Sequence, residues 1–449
     1  MSERTIAHEA PCIRSTQDRG AAALPKKHLL RRMKTWQQLT HYAGFDWARD
    51  HHDIVVVDLQ GRIVAQFRIS HNAEGWQEFR QKMAAFPAVG VVIETSQGAA
   101  VDQLLQMEGL TVYPIHPVAA QHYRQRKAPT GNKTDLLDAW SLADALRLDG
   151  SQWKALQPMD PLTQQLRLLC RDEMSLIEQR TALINQLQQA LNEYYPAAVA
   201  AFDDWTRPGT WAFVIEFPTP VILLQRKRSR WEKFLHKHKL WRPQTADKRL
   251  EIFAGAGAFC ASPAVTAAKS LLAVSLARLL RALQNQLDQY RSQIETLFAQ
   301  HPDSGLFGSL PGAARYLAPR LLGEVTADMQ RFDEPQALQC LAGTSPVSYQ
   351  SGQIHKVHVR HQCSKVLRQI IHLWADCARH AAPWIQTYYQ KKRDEGKSHA
   401  CALRCVGQRL LKILWKMIQT RTPYNADLHT KSQLAHGSWV LQLMRQKPA

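Results

Sequence analysis

The chain is expected to fold as an α/β domain followed by a longer, mostly α-helical region. Three observations point there. Short β-prone runs crowd residues 42–116, with helical spacing between the later ones. Past residue 158, leucines recur at threes and fours over long stretches, the period of helices that pack along one another. After Pro302, single glycines and prolines punctuate shorter helical segments.

From Tyr42, the runs YAGFDWA, DIVVVDL and RIVAQFRI read as strands separated by RDHH and by Gln60-Gly61, both hairpin turns. A helix is expected over Glu74–Ala84. VGVVIET is then an apolar strand of the kind buried on both faces. A helix over Ala99–Glu108 leads to the strand TVYPIH. Three antiparallel strands, helix, strand, helix, strand is the ribonuclease H-like order. Nucleases, transposases and some ATPases share it, so the fold alone does not decide the function.

Residues 160–195 are expected to be helical, with Leu166, Leu169, Leu176, Leu183, Leu187 and Leu191 on one stripe. A second helix over about 266–299 would present Leu272, Leu276, Leu279, Leu283, Leu287, Tyr290, Ile294 and Leu297 as a coiled-coil seam. Pairing within one chain and pairing between protomers fit this pattern equally. Between the two helices lies RKRSRWEKFLHKHK, which interleaves Arg226, Lys227, Arg228 and Arg230 with Trp231 and Phe234. It suits a helix lying along a phosphate backbone, or a solvated basic face. SLPGAARYLAPRLLGEV then places a Gly-containing turn between helical segments, in the manner of a helix-hairpin-helix or of any αα-hairpin. The expected limits are a basic flexible arm (1–40), the α/β domain (41–158), a helical coiled-coil region (159–300), an α-rich domain (301–430) and a tail (431–449).

The chain's 449 residues allow two or three domains, each with its own core. Lys and Arg outnumber Asp and Glu by 57 to 38, a net charge of +19. That balance favours a polyanionic partner, nucleic acid or an anionic membrane surface. No run of about 18 apolar residues stands out, and residues 1–40 lack the apolar core of a secretory signal, so no membrane association is expected. None of the eight cysteines forms a CxxC pair, and Cys401 and Cys405 have no second pair to complete a zinc site. Reduced, mostly buried cysteines in a cytoplasmic protein are expected.

In so basic a chain the acids stand out. Asp46 lies in GFDWA, Glu94 ends VVIET, and Asp135 and Asp138 fall in NKTDLLD. Phosphoryl transfer needs charge neutralised on the attacking and leaving oxygens, and Mg²⁺ held by carboxylates from converging elements supplies that. Three residues apart on a helix, Asp135 and Asp138 share a face. Singly, each acid has a plainer reading: Asp46 as a turn cap, Asp135 as an N-cap or first-turn acid. Asp58 and Asp144 are set aside, one ending the second strand and the other two turns further along the helix than Asp135. Asn132 and Lys133 suit a phosphate contact or a solvated loop.

A second constellation lies in LAGTSPVSYQSGQIHKVHVRHQCSKVLRQIIHLWADCARH. Gln350-Ser351-Gly352 reads as a tight turn. On a strand Lys356, His358 and Arg360 would point to one face. A helix from about Ser364 carries Lys365 and Arg368 beside its buried side. A serine attacks only when its developing charge is stabilised and its proton removed. From this segment alone an ordinary turn serine is the preferred reading, with Ser348 as the rival to Ser351.

With these motifs in hand, the chain resembles the DEDD transposases of bacterial insertion sequences, whose RNA-guided members are called bridge recombinases. The resemblance covers about residues 40–430 and rests on GFDWARDHHDIVVVD, VVIETSQG, NKTDLLDAWSLADALR, NEYYPAA, SLPGAARYLAPRLLGEV, LAGTSPVSYQSG and APWIQTYYQKKRDEGKSHACALRCVGQRLLKILWKM, in that order. It implies that Asp46, Glu94, Asp135 and Asp138 form a Mg²⁺ site in a RuvC-like domain. It also implies that Ser351 is the nucleophile, forming a transient phosphoserine link to DNA. Half-sites from different protomers of a dimer or tetramer, donor and target DNA, and a noncoding guide RNA follow from the same resemblance. The alternatives are a hydrolytic RuvC-like, structure-specific nuclease that uses the same acids with water, and a non-catalytic nucleic-acid scaffold. The nuclease would be indifferent to Ser351, and the scaffold to loss of the carboxylates.

Overall fold

The computed structural model describes residues 34–96, 98–259, 261–326 and 332–446, which form two compact units, up to Pro158 and from Met159 onward. The first is built on five strands: β1 (His41–Trp47), β2 (His51–Asp58), β3 (Ile63–Ser70), β4 (Val89–Ile93) and β5 (Leu110–Pro114). Their spatial order is β3-β2-β1-β4-β5. The β1–β2 and β2–β3 pairs are antiparallel, while β1–β4 and β4–β5 are parallel. This is the ribonuclease H-like arrangement. The first turn is tighter than RDHH suggests: His51 and His52 already belong to β2, and the Ala48 N–H donates to the His51 carbonyl.

Helices α1 (Ala73–Met83) and α2 (Ala99–Leu105) cover one face of the sheet through Trp76, Phe79, Met83, Val101 and Leu104. The other face is covered by α3 (Pro117–Lys127) and α4 (Asp135–Asp149), through Ala120, Ala139, Leu142, Ala143 and Leu146. Every residue of β4 is buried, which accounts for its unbroken apolar run. Helix α4 lies directly against β1 because Gly44 has no side chain. A Cβ there would sit 1.8 Å from the Ala139 carbonyl oxygen. Gly44→Ala is therefore expected to push α4 off the sheet and destabilise this unit by about 1–3 kcal/mol or more, measured by chemical denaturation.

Residues 34–40 also belong to this unit, so the expected arm is shorter. Leu39 is buried, Trp36 Nε1 donates to the Leu146 carbonyl at 2.9 Å, and Lys34 Nζ donates to that of Pro87 at 2.9 Å. Residues 1–33 of the arm lie outside the described residues.

The second unit begins with α5 (Pro161–Tyr194). Five shorter helices follow: α6 (Pro196–Ala200), α7 (Pro208–Glu216), α8 (Pro220–Leu224), α9 (Arg228–Lys237) and α10 (Pro243–Ala254). Then α11 (Pro263–Gln300) returns antiparallel along α5, with Lys269 paired to Glu193 and Arg291 to Glu173. The two long helices thus pair within the chain. Their seam is rotated from the expected one. Ala273, Leu276, Ala277, Leu280, Leu287 and Ile294 are buried, whereas Leu272 and Leu279 are 45% and 55% exposed. Small Ala273 and Ala277 allow close helix approach, and leucines all round α11 hid which face does so. By length and composition α11 could cross a membrane, a segment the expectation missed. Its buried face packs on α5 and into an aromatic core of Tyr194, Tyr195, Trp211, Phe213, Phe217 and Phe253.

Beyond α11 lie α12 (Ser304–Gly308), α13 (Ala314–Val325), α14 (Pro335–Leu341), the hairpin β6 (Val347–Ser351) and β7 (Ile354–His358), α15 (Lys365–Ala381), α16 (Pro383–Asp394), α17 (His399–Thr420), α18 (Ala426–Ala435) and α19 (Trp439–Gln446). The turn before α13 contains Gly312 at φ +71°, where a Cβ would come within 2.5 Å of the Ala378 backbone nitrogen. The expected tail docks as well: Val440 is buried and Trp439 stacks on Tyr388.

A buried ionic network joins α5, α11 and α13. Glu173 accepts from Arg291 at 3.0 Å and from Arg320 at 2.5 Å. Glu324 accepts from Arg171 at 2.5 and 2.9 Å and from Arg167 at 3.3 Å. Burial raises the Glu324 pKa, but the hydrogen bonds and charge of Arg171 and Arg167 outweigh it and hold the carboxyl below its ordinary value. Among the described cysteines only Cys170 is fully buried and none is in a disulfide, so most are less buried than expected.

Candidate active site

The site is built from one rung across the sheet. Asp46 on β1 lies opposite Asp53 on β2, and Asp53 lies opposite Arg68 on β3. On the other side of β1, Phe45 pairs with Ile93, which brings Glu94 beside Asp46 where β4 ends. Neighbouring Phe45, Ile54, Phe67 and Ile93 all face α1 and α2. By the two-residue period, the charged rung faces α4. Thr134 caps α4, its side chain accepting from the Leu137 N–H at 3.1 Å. That cap sets Asp135 and Asp138 in the first turn, at the end of α4 facing the rung.

The acids act on one another's charge. Burial pushes the Asp46 carboxyl up to about 7, and repulsion from Asp138, Glu94, Asp135 and Asp53 adds to it, in that order. Glu94 is also raised, by burial and by Asp138, against the lowering influence of Arg124 and Lys133. Arg124 Nη1 holds both oxygens of buried Asp138 at 3.1 Å. Arg68 holds Asp53 through three contacts of 2.8–3.1 Å and reaches Asp135 at 3.0 Å. The four acids expected to form a site are thus brought together. Asp58 and Asp144 are not among them. Asp58 is bound by Arg62 in a turn, and Asp144 by Lys127 and Arg147.

Asp53, Arg68 and Arg124 were missed. The signal for Asp53 was present, an acid facing Asp46 across a hairpin, but using it required the register of β1 on β2. Among the described residues, His51, Asp53 and Asp135 also form a group able to hold a divalent metal, their ligand atoms within 4.8 Å of one another. An all-oxygen set at Asp46, Glu94, Asp135 and Asp138, strained by its own repulsion, suits a hard divalent cation. Because a ligand must shed its proton, cation affinity is expected to rise with pH through about 7, weakening by up to roughly tenfold per unit below it. Calorimetric Mn²⁺ titrations at several pH values measure this.

The serine segment forms an isolated, fully exposed hairpin with Gly352 in the left-handed region at φ +55°. Ser351 ends β6 opposite Ile354, and Tyr349 lies opposite Lys356. Ser351, Lys356 and His358 therefore share one face, while Ser348, opposite Val357, is on the other. Arg360 lies beyond the strand, where its Nε donates to the Ser345 carbonyl at 3.2 Å. Arg368 is spent on the Arg360 carbonyl and the Cys363 sulfur, while Lys365 opens α15 in solvent.

In the basic cluster, Arg226 and Lys227 are exposed, but Arg228 pairs with Glu232 and Asp247, and Arg230 with Glu216. Trp231 and Phe234 point into the aromatic core, so they are not available to stack on bases. Lys133 is exposed in the loop before α4.

A five-stranded ribonuclease H-like sheet with acids clustered at the end of its central strands defines an enzyme class that acts on phosphodiesters. The comparisons make this specific. A family model of IS110-type DEDD transposases matches residues 43–196, and one for transposases of the IS116/IS110/IS902 family matches residues 304–390. A Streptomyces coelicolor protein described as a mini-circle transposase for IS117 is 31% identical over 401 residues, spanning 87% of this chain and 97% of that protein. The 42 kDa protein of insertion element IS900 from Mycobacterium paratuberculosis is 27% identical, covering 86% of this chain and 97% of its own length. The chain belongs to the IS110 family of transposases, enzymes that act on DNA.

Proposed function

We propose that this transposase cleaves and rejoins DNA strands with a Mg²⁺-loaded carboxylate site and Ser351 as the attacking group. The convergence of Asp46, Glu94, Asp135 and Asp138 at one end of the sheet carries the reading, and burial together with their mutual repulsion raises the Asp46 carboxyl to about 7. Asp46, Glu94, Asp135 and Asp138 would hold a divalent cation, which when bound would neutralise charge on the scissile phosphate. Ser351 Oγ loses its proton and attacks phosphorus, the deoxyribose oxygen gains a proton and leaves with the strand end, and attack on the same phosphorus by another strand's hydroxyl, which gives up its proton, releases Ser351 as the free alcohol and rejoins the DNA. Lys356, on the same hairpin face as Ser351, supplies positive charge to the phosphate. Exposed Lys133, Arg226, Lys227 and Lys365 are the remaining candidates for backbone contacts.

The test is to incubate the protein with labelled insertion-element ends and Mg²⁺, then denature. A covalent protein–DNA adduct supports the reading. Cleaved ends free of protein would instead make this a hydrolytic nuclease.

The chain's charge of +19 supports binding of a noncoding guide RNA, and a discrete flanking transcript co-purifying with the protein checks this. Exposed Leu271, Leu272 and Leu279 on α11 support self-association as a dimer or tetramer, read by sedimentation.

A further inference from the structure

We infer that Arg68 is a positioning residue, held by Asp53 across the β2–β3 pair, that sets the Asp135 carboxylate for the cation, and that Asp53 is not itself a ligand. The inference rests on the reading of the four carboxylates as a cation site.

The rung Glu94–Asp46–Asp53–Arg68 places three acids side by side and closes on one base. Asp53 is buried and spends both oxygens on the guanidinium: Nε at 3.0 Å to one oxygen, and Nε at 3.1 Å with Nη2 at 2.8 Å to the other. A planar guanidinium gripped along that edge has little freedom. Its Nη2 then reaches Asp135 Oδ2 at 3.0 Å. Asp135 needs such a hold. Its side chain is 53% exposed at the first position of α4, whereas Asp138 is buried and already fixed by Arg124. The two acids of the α4 pair are thus each held by one arginine, from opposite sides of the site.

His51, Asp53 and Asp135 could be read as a metal site of their own. However, the cation between Asp53 and Asp135 is the Arg68 guanidinium, and His51 Nε2 stands 3.8 and 3.9 Å from these two carboxylates. Groups that hold a ligand's carboxylate without touching the metal typically change metal affinity by about 10–100-fold when removed.

The sign of the effect separates positioning from competition. Removing Arg68 removes a positive charge near the site, which by itself favours cation binding. A positioning role predicts the opposite. The experiment is Mn²⁺ titration of the full-length protein, by calorimetry and by electron paramagnetic resonance of free Mn²⁺, with stoichiometry and affinity both read.

Arg68→Gln is expected to weaken Mn²⁺ by about 10–100-fold at unchanged stoichiometry, and Arg68→Lys to restore part of it. Asp53→Asn should match Arg68→Gln, and the double variant should lose little more than either. Affinity unchanged or tighter in Arg68→Gln overturns the inference, because the arginine is then a bystander or a competitor. A lower stoichiometry in Asp53→Asn overturns it too, because Asp53 is then a ligand. Should Asp53→Asn fail to fold, the largely exposed Arg68 variants decide alone. Wild-type protein that takes up no Mn²⁺ sinks the cation-site reading itself, which is a different result from a wild type that binds and an Arg68→Gln that binds equally.

Discussion

Asp46→Asn is expected to abolish DNA strand cleavage while making the metal-free protein more stable. Both effects have one cause. Asp46 sits among four other carboxylates, and its carboxyl is pushed up to about 7 by burial and by their charge. The sign follows from linkage. A carboxyl raised in the folded state binds its proton more tightly there than in the unfolded chain. Stability therefore falls as pH rises from the unfolded value near 3.8 to about 7. The neutral amide removes that penalty, a gain on the order of 2 kcal/mol near neutral pH once partial solvent screening is allowed for. Asparagine also removes a charge from the proposed cation site. Losing several kcal/mol of charge stabilisation in the transition state corresponds to about 10³-fold or more in cleavage rate. Thermal denaturation without metal and single-turnover cleavage with Mg²⁺ measure the two halves. A variant less stable than wild type yet fully active would mean that Asp46 is a structural acid.

Ser351→Ala is expected to eliminate the covalent adduct and reduce strand rejoining by about 10⁴-fold or more, the scale seen when a covalent nucleophile is removed. Ser348→Ala should retain both. The hairpin register separates the two serines: Ser351 shares its face with Lys356 and His358, while Ser348 faces the other way. The hairpin is wholly exposed, so neither substitution disturbs a core, and loss of activity with unchanged stability is a clean result. An adduct that persists in Ser351→Ala and vanishes in Ser348→Ala would reverse the assignment.

The strand order and the four acids could be read from the sequence because both are local. Each acid sits at the end of a β-prone run or within one helical turn of its partner. Asp53, Arg68 and Arg124 could not be read that way. Asp53 and Arg68 take their meaning from which residue lies across the ladder, where a shift of one position would turn each to the other face of the sheet, and Arg124 takes its meaning from the packing of α3 beside α4. The seam of α11 was misjudged for a related reason. Its leucines run around the helix, so periodicity alone did not choose the face on which Ala273 and Ala277 are buried. That Trp231 and Phe234 fill a core, leaving only part of the basic cluster to face solvent, could not be read because α7 and α10, which they pack against, are not evident in the chain. Residues 34–40 carried too few apolar groups to mark them as docked, and the short run Trp439-Val440-Leu441 does not by itself say what it docks against.

The paired arginines and glutamates joining α5, α11 and α13 limit how this protein can be taken apart or evolve. A piece starting at residue 301 would keep Arg320 and Glu324 but lose their partners Arg167, Arg171 and Glu173 together with the α5 surface that packs over them. Breaking one such pair typically costs about 3–5 kcal/mol, a large share of what holds a domain folded. The serine-bearing region and the long helical pair are therefore heritable only together. Recombination between related elements would seldom give viable hybrids with crossovers between residues 195 and 301.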